Sequence, residues 1–90
     1  MKFEWDQTKA SANLSKHGVS FDEAKTVFDD PLYVDFYDPD HSLDEHRYII
    51  IGESQQGRLL MVSYIESDDA VRILSSREVT QTERKQYEES

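Results

Sequence analysis

Cysteine is absent from this 90-residue chain, while glycine occurs three times, proline twice and tryptophan once. The missing cysteines exclude a disulfide framework, thiolate metal sites and a cysteine nucleophile, so packing has to supply the stability. Long apolar runs are also missing, which leaves neither a membrane span nor a secretory leader core and makes the cytoplasm the expected location. Arginine does not occur before position 47, and from Phe28 to His46 there is no lysine either. That stretch carries Asp29, Asp30, Asp35, Asp38, Asp40, Asp44 and Glu45, much of the excess behind a net charge of −9. A chain this short closes around one core, so residues 1–90 are expected to form a single domain.

An acidic balance argues against nucleic-acid binding, which usually goes with a basic domain. The signs are segregated, however. Arg47, Arg58, Arg72, Arg77 and Arg84 all lie in the second half. Salt confines a surface potential to about 8–10 Å, and a cationic site therefore survives on an anionic molecule.

Local patterns give the elements. Lys2 to Trp5 alternates polar and apolar residues as a short strand does. Asp6 is placed to cap a helix that Gly18 stops. Ser20 and Glu23 have capping-box spacing ahead of Phe21, Ala24, Val27 and Phe28, which form one buried helical stripe ending before Pro31. Leu32 to Tyr37 is β-prone, Asp38-Pro39-Asp40 a turn, and Arg47 to Gly52 a strand. Arg58 to Glu66 returns after Gly57, and Leu59 to Val62, apolar at every position, reads as a central strand covered on both faces. Val71 to Arg77 is the next strand, and Thr80 with Glu83 opens a final helix through Tyr87. The order describes an α+β fold, two N-terminal helices packed on a mainly antiparallel sheet with a C-terminal helix.

Several blocks, in order, are those of a known family. Phe3-Glu4-Trp5-Asp6, Asn13 to Phe21, Phe28-Asp29-Asp30-Pro31, Arg47 to Gly52, and Arg72 to Arg77 followed by Thr80, Glu83, Arg84 and Tyr87 together resemble the BrnT toxins of type II toxin-antitoxin systems. The resemblance implies a RelE-like ribonuclease fold and RNA cleavage that arrests translation. It also implies a BrnA-type antitoxin as partner in a hetero-oligomer, with operator DNA contacted only through that antitoxin. The family's basic continuation after Arg77 is replaced here by Glu78, Val79, Gln81 and Thr82, which implies weaker attraction for RNA.

Cleaving an RNA phosphodiester takes a base, an acid and positive charge at phosphorus. Arginine suits the last task because its fork grips two phosphate oxygens. Strict alternation along Val71 to Arg77 puts Arg77 with Val71, Ile73 and Ser75, and Arg72 on the other face with Leu74 and Ser76, so only one of the two arginines can enter a shared site. Arg77, beside the last helix and Arg84, is the favoured one. His17 is the candidate proton carrier, although its place at a helix C-terminus also suits carbonyl capping. The catalytic candidates are thus His17, Arg77 and Arg84. Lys16, Arg47, Arg58, Arg72 and Tyr87 are candidate RNA contacts, Tyr87 by stacking on a base. Glu23 is accounted for by capping. The stretch Asp38 to His46 lacks the glycine and glutamate of a calcium loop and reads as an acidic surface loop, so neither metal nor cofactor is expected. The competing function is a non-catalytic acidic module that binds a basic partner.

Overall fold

The computed structural model describes residues 2–38 and 46–90. The acidic stretch 39–45, expected as a surface loop, lies outside them. The elements are β1 (Lys2–Glu4), α1 (Gln7–His17), α2 (Phe21–Ala24) leading into a 3₁₀ turn (Lys25–Asp29), β2 (Val34–Tyr37), β3 (Arg47–Glu53), β4 (Leu59–Glu66), β5 (Ala70–Glu78) and α3 (Gln81–Glu88). Among the described residues, no helix is long and apolar enough to cross a membrane.

Caps set the helix limits. Asp6 Oδ1 accepts the Lys9 N–H at 2.9 Å, and Gly18, at φ 69°, returns its N–H to the Leu14 carbonyl. A side chain is strained at that φ, which is why glycine ends α1. The helix expected to continue to Phe28 is α-helical only to Ala24. The Thr26 hydroxyl donates to the Glu23 carbonyl at 2.7 Å and the chain tightens into the 3₁₀ turn. The capping box at Ser20 is half formed. Its hydroxyl accepts the Glu23 N–H at 3.0 Å, but the Glu23 carboxylate turns inward to other partners. The box at Thr80 is complete.

The sheet runs in the order β1-β5-β4-β3-β2, with β1 parallel to β5 and the remaining pairs antiparallel. On its first face Ile50, Leu60, Val62, Tyr64, Val71 and Ile73 join Ala10, Val19, Phe21, Ala24 and Val27 in the core, flanked by Phe3, Trp5, Phe28 and Tyr48. β4 is central, as its apolar run suggests. Its second face, however, is only half covered, with Met61, Ser63 and Ile65 partly exposed.

One extra residue changes the phase of β5. Tyr64 pairs with Ile73 but Ser63 pairs with Ser75, so Leu74 is a bulge. Beyond it the alternation reverses, and Ser76 turns into the core. Arg77, expected on the face of Ile73, lies instead on the opposite face with Arg72. The sequence argument for separating the two arginines assumed an unbroken period of two, and the bulge removes that assumption.

The bulged segment is held by Asn13. β1 pairs with β5 only as far as Arg72, which leaves the outer edge of β5 without a strand neighbour from Ile73 onward. Asn13, on α1, fills that edge: its Nδ2 donates to the Ser76 and Val19 carbonyls, both at 2.9 Å, and its Oδ1 accepts the Ser76 N–H at 3.1 Å. A buried amide thus takes the place of a β-strand neighbour. Replacing Asn13 by leucine strands three buried backbone groups, each worth about 1–3 kcal/mol unsatisfied. Urea unfolding of Asn13→Leu should show a loss of about 3 kcal/mol, against less than about 0.5 for the exposed Leu14→Ala. Equal stability of the two variants would contradict this role.

Candidate nucleic-acid interface

With β5 re-phased, the second face of the sheet forms three cross-strand rows. Arg72, Ile65 and Arg47 make the first; Ser75, Ser63, Ile49 and Phe36 the second; Arg77, Met61, Ile51 and Val34 the third. Two rows of separation, four residues of β4 at about 3.3 Å each, put Arg72 and Arg77 about 13 Å apart along the strand. The two serines lie between them. α3 contacts β3 at the third-row end, where Ile51 is fully buried although it faces away from the core.

α1 runs alongside the outer edge of β5. Asn13 is bonded to Ser76, and the Gly18 carbonyl at its C-terminal end accepts from Arg58, itself paired with Glu78. Between helix and bulge lies a shallow hollow of about 240 Å³ lined by Lys9, Asn13, Lys16, His17, Leu74 and Ser75. The structure therefore gathers Lys16 and His17, two of the candidate residues, around Ser75, which also stands between Arg72 and Arg77 on the second face. Lys9 is the residue that sequence reasoning missed. Its signal was available, since positions 9, 13 and 16 recur at four- and three-residue spacing on one helical face.

Arg77 is held as well as placed. Its Nη1 and Nη2 donate to Glu83 Oε1 and Oε2 at 2.8 and 2.9 Å, and Nη1 donates to the Glu78 carbonyl at 3.2 Å. A guanidinium has five N–H groups, so two remain for another acceptor. Glu83 also accepts the Thr80 N–H at 2.9 Å. These bonds, that of Arg77 first, hold the Glu83 carboxyl below its usual range against the opposing effect of burial.

The other candidates are placed elsewhere. Arg58 forms a two-pronged pair with Glu23, which is 4% exposed and also accepts the Ser54 hydroxyl at 2.7 Å. The Arg58 bonds hold the Glu23 carboxyl low despite its burial. Arg58 thus lies on the helix-covered face, at the base of α1 and α2. Tyr87 donates its hydroxyl to Asp30 Oδ2 at 2.7 Å, and that bond first, with burial, pushes its pKa up to about 12. Asp30 also accepts the N–H groups of Glu53 and Leu32. Burial pushes the Asp30 carboxyl up, but these three donors outweigh it and the net direction is down. Arg84, half exposed on α3, reaches Glu88 at 3.9 Å and is not drawn to the carboxylate that holds Arg77.

A five-stranded α+β protein with an arginine-bearing open sheet face is the class that this geometry defines. The family model for BrnT, the ribonuclease toxin of type II toxin-antitoxin systems, matches residues 5–83, and the chain belongs to that family. Among solved structures it is similar to the Brucella abortus ribonuclease toxin BrnT, with a TM-score of 0.65 and 25% identity over 90% of this chain and 99% of that one. No curated protein matches the sequence significantly.

Glu23, Asp30 and Glu83 all have folded pKa values below their unfolded ones. Each therefore contributes stability that is complete above about pH 4–5 and is lost as pH falls through the folded value. Unfolding free energy measured by urea titration should decline below about pH 5 and be insensitive to these groups between pH 6 and 8. Glu23→Gln has no charge to lose and should make the acid limb shallower. An unchanged slope would contradict the assignment.

Proposed function

We propose that this chain is an endoribonuclease toxin that cuts RNA in the cytoplasm, arrests translation in the manner of RelE-like ribonucleases and is neutralised by a BrnA-type antitoxin. The observation that carries the reading is that Arg72 and Arg77 share one face of the sheet, about 13 Å apart, with the hollow of Lys9, Lys16 and His17 beside the serine between them. Family membership supplies the reaction class.

The chemistry proposed is attack of a ribose 2′-oxygen on the adjacent phosphorus with departure of the 5′-oxygen, giving a cyclic phosphate and a free 5′-hydroxyl. Arg77 presents its remaining N–H groups to the phosphate oxygens as negative charge builds. Glu83 fixes the fork beforehand, which limits reorganisation during the reaction. His17 moves the proton, and Arg72, Lys9 and Lys16 hold flanking phosphates. Arg47, at the far end of the Arg72 row, extends that track. Arg84 stays peripheral, while Arg58 and Tyr87 act as structural anchors. No metal is required in this scheme, because the nucleophile is within the substrate and the protein's cations supply the charge.

Purified protein should cleave single-stranded RNA in the presence of EDTA. Arg77→Ala should slow cleavage about 10²–10³-fold and His17→Gln about 10²-fold or more, both with unchanged circular dichroism. Arg58→Ala should instead lose about 3 kcal/mol of stability by stranding the buried Glu23. Glu83→Gln loosens the hold on the Arg77 fork and should tighten RNA binding several-fold at low salt, as read by fluorescence anisotropy. If EDTA abolishes cleavage, or if Arg77→Ala cuts as fast as wild type, the scheme is wrong.

A further inference from the structure

Among the described residues two strands end the sheet, and of these β1 is only three residues long while β2 lies in a stretch with exposed large apolar side chains. β2 pairs with β3 on one side and lies at the end of the strand order. The Asp38 N–H donates to the Arg47 carbonyl at 2.9 Å, which sets the phase of this ladder. Hydrogen-bonded pairs alternate between antiparallel strands, so Val34 and Phe36 turn their backbone groups toward β3 while Asp35 and Tyr37 turn theirs outward. Among the described residues, no backbone group meets that outward row.

The same stretch collects exposed apolar surface. Leu32 is 68% exposed, Tyr33 44%, Phe36 41% and Tyr37 42%; the other large exposed hydrophobic among the described residues, Leu14, is on α1. Phe36 stands on the second face of the sheet, and Asp35 and Tyr37 on the first. Along this stretch of chain the charge has one sign, with Asp29, Asp30 and Asp35 and no lysine or arginine from Phe28 to His46; the first cation, Arg47, follows on β3 opposite Asp38. An exposed apolar edge is a site of strand addition unless something blocks it, and lysine, the usual blocker, is missing.

We propose that the β2 edge receives an extended basic segment of the antitoxin as a sixth strand, with lysine or arginine opposite Asp35 and apolar side chains opposite Phe36. This deepens the partner reading above and rests on it. A second copy of the chain is disfavoured as occupant, because pairing two such edges brings acidic segments together on molecules that each carry a charge of −9.

The test uses a synthetic nonapeptide alternating valine and lysine, titrated into the ¹⁵N-labelled protein. Saturable shifts centred on Asp35 and Tyr37, with their amide exchange slowed at least tenfold, are expected. The glutamate counterpart of the peptide should not bind. Tyr37→Pro removes an outward N–H at an edge position that tolerates proline, and should weaken peptide binding at least tenfold while leaving RNA cleavage unchanged. Peptide shifts centred elsewhere, undiminished binding to Tyr37→Pro, or dimerisation of the free protein through β2 would each overturn the proposal. A wild type that binds the peptide at β2 but cuts no RNA would support the edge and overturn the nuclease reading alone.

Discussion

The pairing of Asn13 with Ser76 across the bulge at Leu74 is the constraint on which the arrangement depends. A strand of strict alternation would send Ser76 out and bury Arg77 among Val71 and Ile73, where an unneutralised guanidinium is costly. One unpaired residue reverses the phase, and the amide of Asn13 secures the result by bonding both backbone groups of Ser76. α1 is thereby fixed against the edge of β5. The same bond that completes the fold therefore brings the helix carrying Lys9, Lys16 and His17 beside the strand carrying Arg72 and Arg77. Bulges commonly re-aim side chains beside functional sites, and this one joins packing to the proposed chemistry.

The acidic balance has a structural side. Glu23 holds Arg58, Glu83 holds Arg77, and Asp30 gathers Tyr87 with two backbone amides. Two of these carboxylates join segments far apart in sequence: Glu23 ties α2 to the start of β4, and Asp30 ties the 3₁₀ turn to α3. Arg77 differs from Arg58 in what remains available. Arg58 is shared among Glu23, Glu78 and the Gly18 carbonyl, whereas Arg77 keeps donors on a partly exposed face. Arg72, exposed at the other end of the same row pattern, complements it.

Local signals were readable from the residues. Asp6, Gly18, Ser20 and Thr80 mark helix limits because capping acts within three or four residues, and the succession of strands along the chain follows from apolar runs separated by turn residues, although the parallel pairing of β1 with β5 does not. The family was legible too, in the order of blocks from Phe3 to Tyr87. The phase of β5 was not. It depends on a residue skipped at Leu74, and the cause is Asn13, 63 residues from Ser76. Nor could the sequence distinguish the fates of five arginines, since the partners of Arg58 and Arg77 are set by tertiary packing. Glu23 seemed fully explained by a capping box, yet its carboxylate serves Ser54 and Arg58, more than 30 residues further along the chain.

The most direct test of the central claim is NMR of the arginine side-chain Nε–H signals during titration with a 2′-O-methyl RNA oligonucleotide, which binds without being cut. If the bulge creates one RNA face, the Arg72 and Arg77 signals shift together with a common saturation point, and the amides of Lys16 and Ser75 follow them. Movement of one arginine without the other, or shifts centred on Arg58 and Glu23 beneath the helices, would contradict it.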